Sequence, residues 1–123
     1  MDRLRVKFRL ESLSERDRAI ETSLPIDSAS PCTWVFRSKL EQAGLARENK
    51  RRVFRTADGH EIERSVGFVV VRVDDRETVD EVVFAEPEDR ERVGFRTLDG
   101  LGLTLDQDRG VLVPADPSPV ANA

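Results

Sequence analysis

Hydrophobic and basic residues alternate strictly in the first segment of the chain. Residues 4–10 carry an apolar side chain at every second position, with Arg or Lys in between, which is the period of a half-buried β-strand. The polar stretch 12–17 predicts a loop, and residues 19–26 predict a second, weaker strand. The chain then predicts a helix that begins near Ser38 and is capped at its end by Gly44.

The middle of the chain predicts a β-hairpin. Strand-like runs at 51–56 and 61–66 flank Ala57-Asp58-Gly59-His60, and Asp-Gly between two such runs is a strong hairpin signal. The remaining predicted elements are mostly strands and turns: a strand at 66–73, a turn at 74–77, a strand at 78–85, a loop at 86–89, a helix at 97–103, and a last hairpin with strands at 104–106 and 110–113.

Many short strands and two short helices indicate an all-β or mostly β domain with a barrel-like core. A chain of 123 residues fits one domain, which we assign to residues 1–114. Residues 115–123 are rich in proline and small side chains, which predicts a disordered C-terminal tail.

Composition excludes several classes of function. The net charge of −4 argues against nucleic acid as a partner, because no basic excess exists to neutralise phosphates. The longest apolar run, 68–71, is far too short to cross a membrane, and the charged start of the chain predicts no signal peptide, so we expect a cytoplasmic protein. With only Cys32 and His60 of their types, a disulfide, a Cys- or His-based metal site and a Ser-His-Asp triad are not expected. We expect no cofactor.

If the protein is an enzyme, carboxylates must therefore carry the chemistry, and Asp27 is the best candidate. It follows the apolar Leu24-Pro25-Ile26 and precedes the small residues Ser28, Ala29 and Ser30. Such surroundings suit a buried, hydrogen-bonded catalytic carboxylate, but taken locally they favour an Asp that caps a chain reversal. Both interpretations stay open on local features alone.

The order of motifs along residues 20–114 resembles the retropepsin-like aspartic peptidases, in particular the short bacterial single-domain members. The segments that carry this resemblance are Ile26-Asp27-Ser28-Ala29, the helix end at 40–45, Ala57-Asp58-Gly59, Arg92-Val93-Gly94, the helix at 97–103, and the closing strand at 110–114. No single motif is specific, but the ordered set is. The resemblance implies an acid-protease-like barrel closed by a flap hairpin.

The resemblance also implies roles for individual residues. Asp27 would be the catalytic residue of a homodimer, since peptide hydrolysis of this kind uses two carboxylates around one water and the chain has one such motif. Ser28, Ala29 and Ser30 would support the catalytic loop. The flap tip, Ala57, Asp58 and Gly59, would close over an extended peptide, and Val93 and Gly94 would form the second motif.

Two positions depart from the family pattern and keep other interpretations open. Ala29 replaces the glycine of the first motif, and Arg92 stands where an apolar residue is usual. A degenerate domain that binds peptides or partner proteins without cleaving them is therefore the main alternative. An unrelated small β-barrel with a structural Asp27 is the other. Independently of these, Asp58-Gly59 also fits a simple hairpin turn that is not a flap. We expect Trp34 and Cys32 in the core, His60 exposed, and Gly94 at a close packing contact.

Overall fold

The computed structural model describes residues 4–117, which form a mostly β structure with two short helices, as the sequence predicts. The elements in chain order are β1 (Arg5–Glu11), β2 (Ala19–Pro25), β3 (Thr33–Phe36), α1 (Arg37–Gln42), β4 (Arg51–Arg55), β5 (Glu61–Val73), β6 (Arg76–Ala85), α2 (Phe95–Leu101), β7 (Leu103–Asp106) and β8 (Val111–Pro114).

One sheet dominates the structure. Its strand order is β2-β1-β5-β6-β3, and β4 pairs with the first part of β5. All of these pairings are antiparallel except that of β3 with β6, which is parallel. β7 and β8 pair with each other in a separate two-stranded sheet. The path of the large sheet ends at β2 on one side and at β3 on the other.

Both faces of the central strands are buried. Along β6, Val82 and Phe84 point into the larger apolar cluster, whereas Val83 and Ala85 point into a smaller one. Burial on both faces explains why this strand reads as a continuous apolar run instead of an alternating one. By contrast β1 buries Phe8 and exposes its neighbour Lys7, as its alternation predicts. The sheet therefore has packed layers on both sides where β3, β5 and β6 meet.

The helix and turn boundaries differ from the predictions by one to two residues, for identifiable reasons. α2 covers Phe95–Leu101 instead of 97–103, because Gly102 adopts a left-handed conformation with φ of 70° and stops the helix. The predicted four-residue turn 74–77 is wrong: Val73 already pairs with Arg76. Asp74, with φ of 53°, tightens the turn, since Asp tolerates this region better than most residues.

The two strands predicted at 61–66 and 66–73 are one continuous strand, β5. At the C-terminus, residues 115–117 carry no helix or strand, and the rest of the predicted tail, 118–123, lies outside the described residues. Neither helix between residues 4 and 117 has the length and apolar character needed to cross a membrane.

Candidate functional site

Asp27 lies directly after β2, at a point where two distant parts of the chain meet. Ile26 forms a parallel bridge with Val93. The Asp27 amide donates to the Val93 carbonyl at 2.9 Å, and the Val93 amide donates to the Pro25 carbonyl at 2.8 Å. The fold thus brings the predicted first motif and second motif side by side, although the sequence separates them by most of the domain.

The loop of residues 27–32, which we call the Asp27 loop, is stabilised by short-range hydrogen bonds. The Ala29 amide donates to Asp27 Oδ1 at 3.2 Å, and the Ser30 amide donates to the Asp27 carbonyl at 3.1 Å. The Ser30 hydroxyl donates to the Cys32 carbonyl at 3.1 Å. The Asx-type turn that the sequence allowed is therefore present. It does not exclude chemistry, because the Asp27 side chain is half-exposed and the turn fixes its direction.

Gly94 makes the close contact that was predicted for it. A Cβ atom at this position would lie 2.5 Å from the Cys32 carbonyl oxygen and 2.7 Å from the carbonyl carbon of Pro31. Two further backbone bonds join these segments: Phe95 donates to the Ser30 carbonyl at 2.7 Å and Arg96 to the Pro31 carbonyl at 3.2 Å. The start of α2 is thereby pressed against the backbone of the Asp27 loop.

A buried chain of hydrogen bonds, which the sequence did not predict, stabilises this contact. The Gly94 amide donates to Thr33 Oγ1 at 3.0 Å, which lies 2.6 Å from Thr97 Oγ1. Thr97 donates in turn to Asp80 Oδ2 at 2.5 Å. Since Thr97 gives its proton to the carboxylate, Thr33 must donate to Thr97, so the chain has one direction. Both threonines are buried, and two β-branched hydroxyl residues 64 positions apart gave no sequence signal.

The hairpin of β4 and β5 has the predicted tip. Gly59 adopts φ of 89° with no atom within 4 Å of where a Cβ would lie. Asp58 accepts hydrogen bonds from the Thr56 hydroxyl and from His60 Nδ1, and these bonds lower the pKa of the Asp58 carboxyl. Asp58, Gly59 and His60 are exposed, the last as predicted.

A cavity of 570 Å³ runs between this hairpin and the core, and we call it the hairpin groove. Its lining includes Ser30 from the Asp27 loop and Ala57 from the hairpin tip. Trp34 and Phe54 form its aromatic part, with ring centroids 4.7 Å apart. The full lining is Ser30, Pro31, Cys32, Trp34, Phe54, Arg55, Thr56, Ala57, Ile62, Glu88, Asp89, Arg90 and Arg92.

Some of the predicted site residues line the hairpin groove, and others lie outside it. Ser28 is exposed and lines a different, smaller cavity of 220 Å³ next to Phe95. Trp34 and Cys32 are buried, at 7% and 9% exposure, as predicted, yet each has an edge on the hairpin groove. Burial raises the pKa of the Cys32 thiol, which keeps it protonated and unreactive.

Arg92 also lines the hairpin groove. In the sequence it stood out only because the family pattern has an apolar residue at this position. Its backbone exchanges two hydrogen bonds with Trp34, of 2.8 and 3.0 Å, so its position is fixed. Its guanidinium lies 5.2 Å from the centroid of the Trp34 ring, within range of a cation–π interaction.

No family model matches this sequence, and no curated protein matches it either. Among residues 4–117, no group of three or more His, Cys, Asp or Glu side chains is arranged to hold a metal ion.

Proposed function

We propose that the protein is an aspartic endopeptidase that hydrolyses extended peptides as a homodimer, with Asp27 as the catalytic residue of each subunit. The observation that carries this proposal is the junction of Ile26-Asp27 with Val93-Gly94 through a parallel bridge and backbone hydrogen bonds. These are the first and second motifs on which the resemblance to the retropepsin-like peptidases depends. An Asx turn alone requires neither the bridge nor the second segment.

The chemistry requires a second carboxylate. One carboxylate takes a proton from the attacking water as a general base while the other gives a proton to the carbonyl oxygen of the peptide bond, and the first then passes its proton to the nitrogen of the leaving amine as the C–N bond breaks. When two carboxyl groups lie close together, they do not both ionise, so the pair holds the one proton that this mechanism needs. A twofold axis next to the Asp27 loop would supply the second group from another copy of the chain.

The remaining residues take supporting roles in this proposal. Ser28 would bond across the axis to the partner subunit, and Ala29 and Ser30 would present backbone groups to the peptide. Ala57, Asp58 and Gly59 would act as the flap, and the domain as an acid-protease-like barrel. The position of Ala57 on the same groove as Ser30 supports a hairpin that covers a bound peptide and excludes water.

The test combines cleavage with subunit mixing. Purified protein is incubated with reduced, alkylated casein between pH 3 and 8, with and without a statine-type transition-state mimic. We expect cleavage that the mimic blocks and that Asp27→Asn lowers by about a thousandfold or more. The matched control is Asp75→Asn, which neutralises an exposed aspartate in the β5–β6 turn and should leave activity unchanged.

Subunit mixing tests the dimer directly. Excess Asp27→Asn protein should suppress wild-type activity, because each mixed dimer holds only one catalytic carboxylate. Activity per mole should also fall on dilution as dimers dissociate. Cleavage that persists in Asp27→Asn, or a monomer that stays fully active, would contradict the proposal.

Arg92 and Ala29 favour a second candidate, a domain that binds peptides without cleaving them. The Arg92 guanidinium occupies space over Trp34 in the groove, where the family pattern has an apolar residue. Ala29 adds a methyl group at the motif glycine, beside the bond from its amide to Asp27 Oδ1. In this case wild-type protein binds peptides but leaves casein intact, and Ala29→Gly gains activity.

A further inference from the structure

The hairpin groove combines an aromatic wall with Arg92, which forms no close ion pair, although its charge acts on Asp89 from farther away. Within residues 4–117, Arg92 has no acidic side chain within ion-pair distance, and neither has Arg90, which lines the same cavity. The acidic residues of the groove are already engaged. Asp89 lies 2.6 Å from Arg64, and Glu88 lies 3.6 Å from the same guanidinium.

The charges of the groove therefore leave a positive excess. Two carboxylates share one guanidinium at its rim, Arg55 is paired with Glu61 at 3.5 Å, and two further arginines line the cavity. This excess contrasts with the whole chain, whose net charge is −4. A local positive excess on an acidic protein favours a ligand with negative charge at that place.

The apolar part of the groove selects for a second feature. Trp34 and Phe54 pack at an interplanar angle of 54°, and Ile62 lies beside them in the lining. Burying an aromatic or large aliphatic side chain here removes apolar surface from water on both partners. The outer edge of β4, which pairs only with β5 among the described strands, offers backbone hydrogen bonds to an extended chain.

From these contacts we infer that the groove binds a peptide segment in which a large apolar side chain rests on Phe54 and the groove edge of Trp34 and an acidic side chain on the same face of the strand pairs with Arg92. The inference rests on the proposed function in taking an extended peptide as the occupant, and it adds the sequence preference. Side chains two positions apart in a strand share one face, which places the acidic residue two positions from the apolar one.

The test uses three fluorescein-labelled nonapeptide pools with a central Phe. The positions two residues before and after it hold Glu, Gln or Lys, and the other positions hold Ser, Gly and Ala. Binding is measured by fluorescence anisotropy on Asp27→Asn protein, so that cleavage cannot intervene. We expect the Glu pool to bind about fivefold more tightly than the Gln pool, the effect of one partly exposed ion pair, and the Lys pool to bind more weakly still.

Variants of Arg92 test whether this residue causes the preference for the Glu pool. Arg92→Gln should abolish the preference for Glu, Arg92→Glu should invert it, and Arg92→Lys should retain it. The matched control is Arg47→Gln, which removes the same charge from an exposed position outside the groove. Thermal melting by circular dichroism verifies that each variant is folded, and the charge-retaining Lys variant keeps the test valid if the Gln variant is unstable.

The outcomes separate this inference from the proposed function. Equal binding of all three pools, or an equal effect of Arg47→Gln, overturns the inference. If wild-type protein cleaves all pools equally well, the peptidase stands and the preference falls. If the Glu pool is bound preferentially but never cleaved, the preference stands and the peptidase falls.

Discussion

Replacing Gly94 by alanine tests the close contact between the start of α2 and the Asp27 loop. Gly94 has φ of −88° and ψ of 171°, an extended conformation that alanine adopts freely. The backbone conformation therefore adds no cost, and the smaller entropy of the unfolded chain would stabilise the variant by about 0.4–1 kcal/mol. Any destabilisation must come from the added methyl group.

The size of that destabilisation follows from the distances. The new Cβ would lie 2.5 Å from the Cys32 carbonyl oxygen and must move to at least 3.0 Å, so the segments must separate by at least 0.5 Å. Overpacking of this kind costs about 1–3 kcal/mol. The separation also stretches the bonds from Gly94 to Thr33 and from Phe95 to Ser30, each of which contributes about 1 kcal/mol. We expect a net loss of about 2–3 kcal/mol.

Urea unfolding measures this loss. With a slope of about 1.5 kcal/mol per M, the midpoint should fall by about 1–2 M. The proposed peptidase activity should fall by about tenfold or more, because a shift of at least 0.5 Å moves the Asp27 loop out of alignment. Gly110→Ala is the control: it has open space but φ of 65°, so only backbone strain of about 1 kcal/mol applies. If Gly94→Ala is as stable as the wild type, or more stable than Gly110→Ala, the contact does not exist in solution.

Three further predictions concern buried polar groups. Thr97→Val removes the middle of the hydrogen-bond chain to Asp80 and should lower the free energy of unfolding by about 2 kcal/mol in urea titration. Burial raises the pKa of the Glu11 carboxyl, but the arginines that donate to it together lower the pKa by more than burial raises it. The pKa therefore lies below its ordinary value of 4.5. Its contribution to stability is thus present above pH 4.5 and is lost as the pH falls through the folded-state pKa. A thiol reagent should modify Cys32 slowly in native protein at pH 7–8 and rapidly in urea, because burial raises its pKa and blocks access.

Each of these predictions has a control. Thr97→Ser keeps the hydroxyl and should retain most of the stability; if Val and Ser behave alike, the hydrogen-bond chain contributes nothing. Glu11→Gln removes the titrating group, so its unfolding free energy should depend less on pH below 4.5, and an unchanged dependence would refute the assignment. Fast labelling of native Cys32 would mean that the loop opens far more readily than its packing implies.

The sequence predicted the local elements because their signals are local. The alternation in β1, the Asp58-Gly59 turn and the helix that stops at Gly44 each depend on neighbouring residues, and Gly44 does adopt φ of 75°. Two of the errors occur where a single residue sets a boundary. Asp74 tightens a turn and Gly102 ends a helix, and composition does not reveal which of several candidate residues will adopt a left-handed conformation.

The site was less predictable because its parts come from distant segments. The motif residues Asp27 and Gly94 were identified through the order of motifs, but their contact depends on a parallel bridge that no local pattern encodes. The threonine chain joins residues 64 positions apart and requires three-dimensional proximity. Arg92 was noticed only as an exception, since an arginine next to an apolar run gives no hint that it will lie over an indole ring.

The bridge between Ile26 and Val93 also has a consequence for biosynthesis. Contacts between segments so far apart form slowly, because closing a long loop costs entropy before the contact is gained. A ribosome-bound chain that has not yet emerged to residue 94 lacks Gly94's bond to Thr33, and one that has not emerged to residue 97 also lacks the threonine pair. The proposed active site would therefore be assembled only after residue 94 has left the ribosome, so a shorter nascent chain would not yet be able to cut itself or its neighbours.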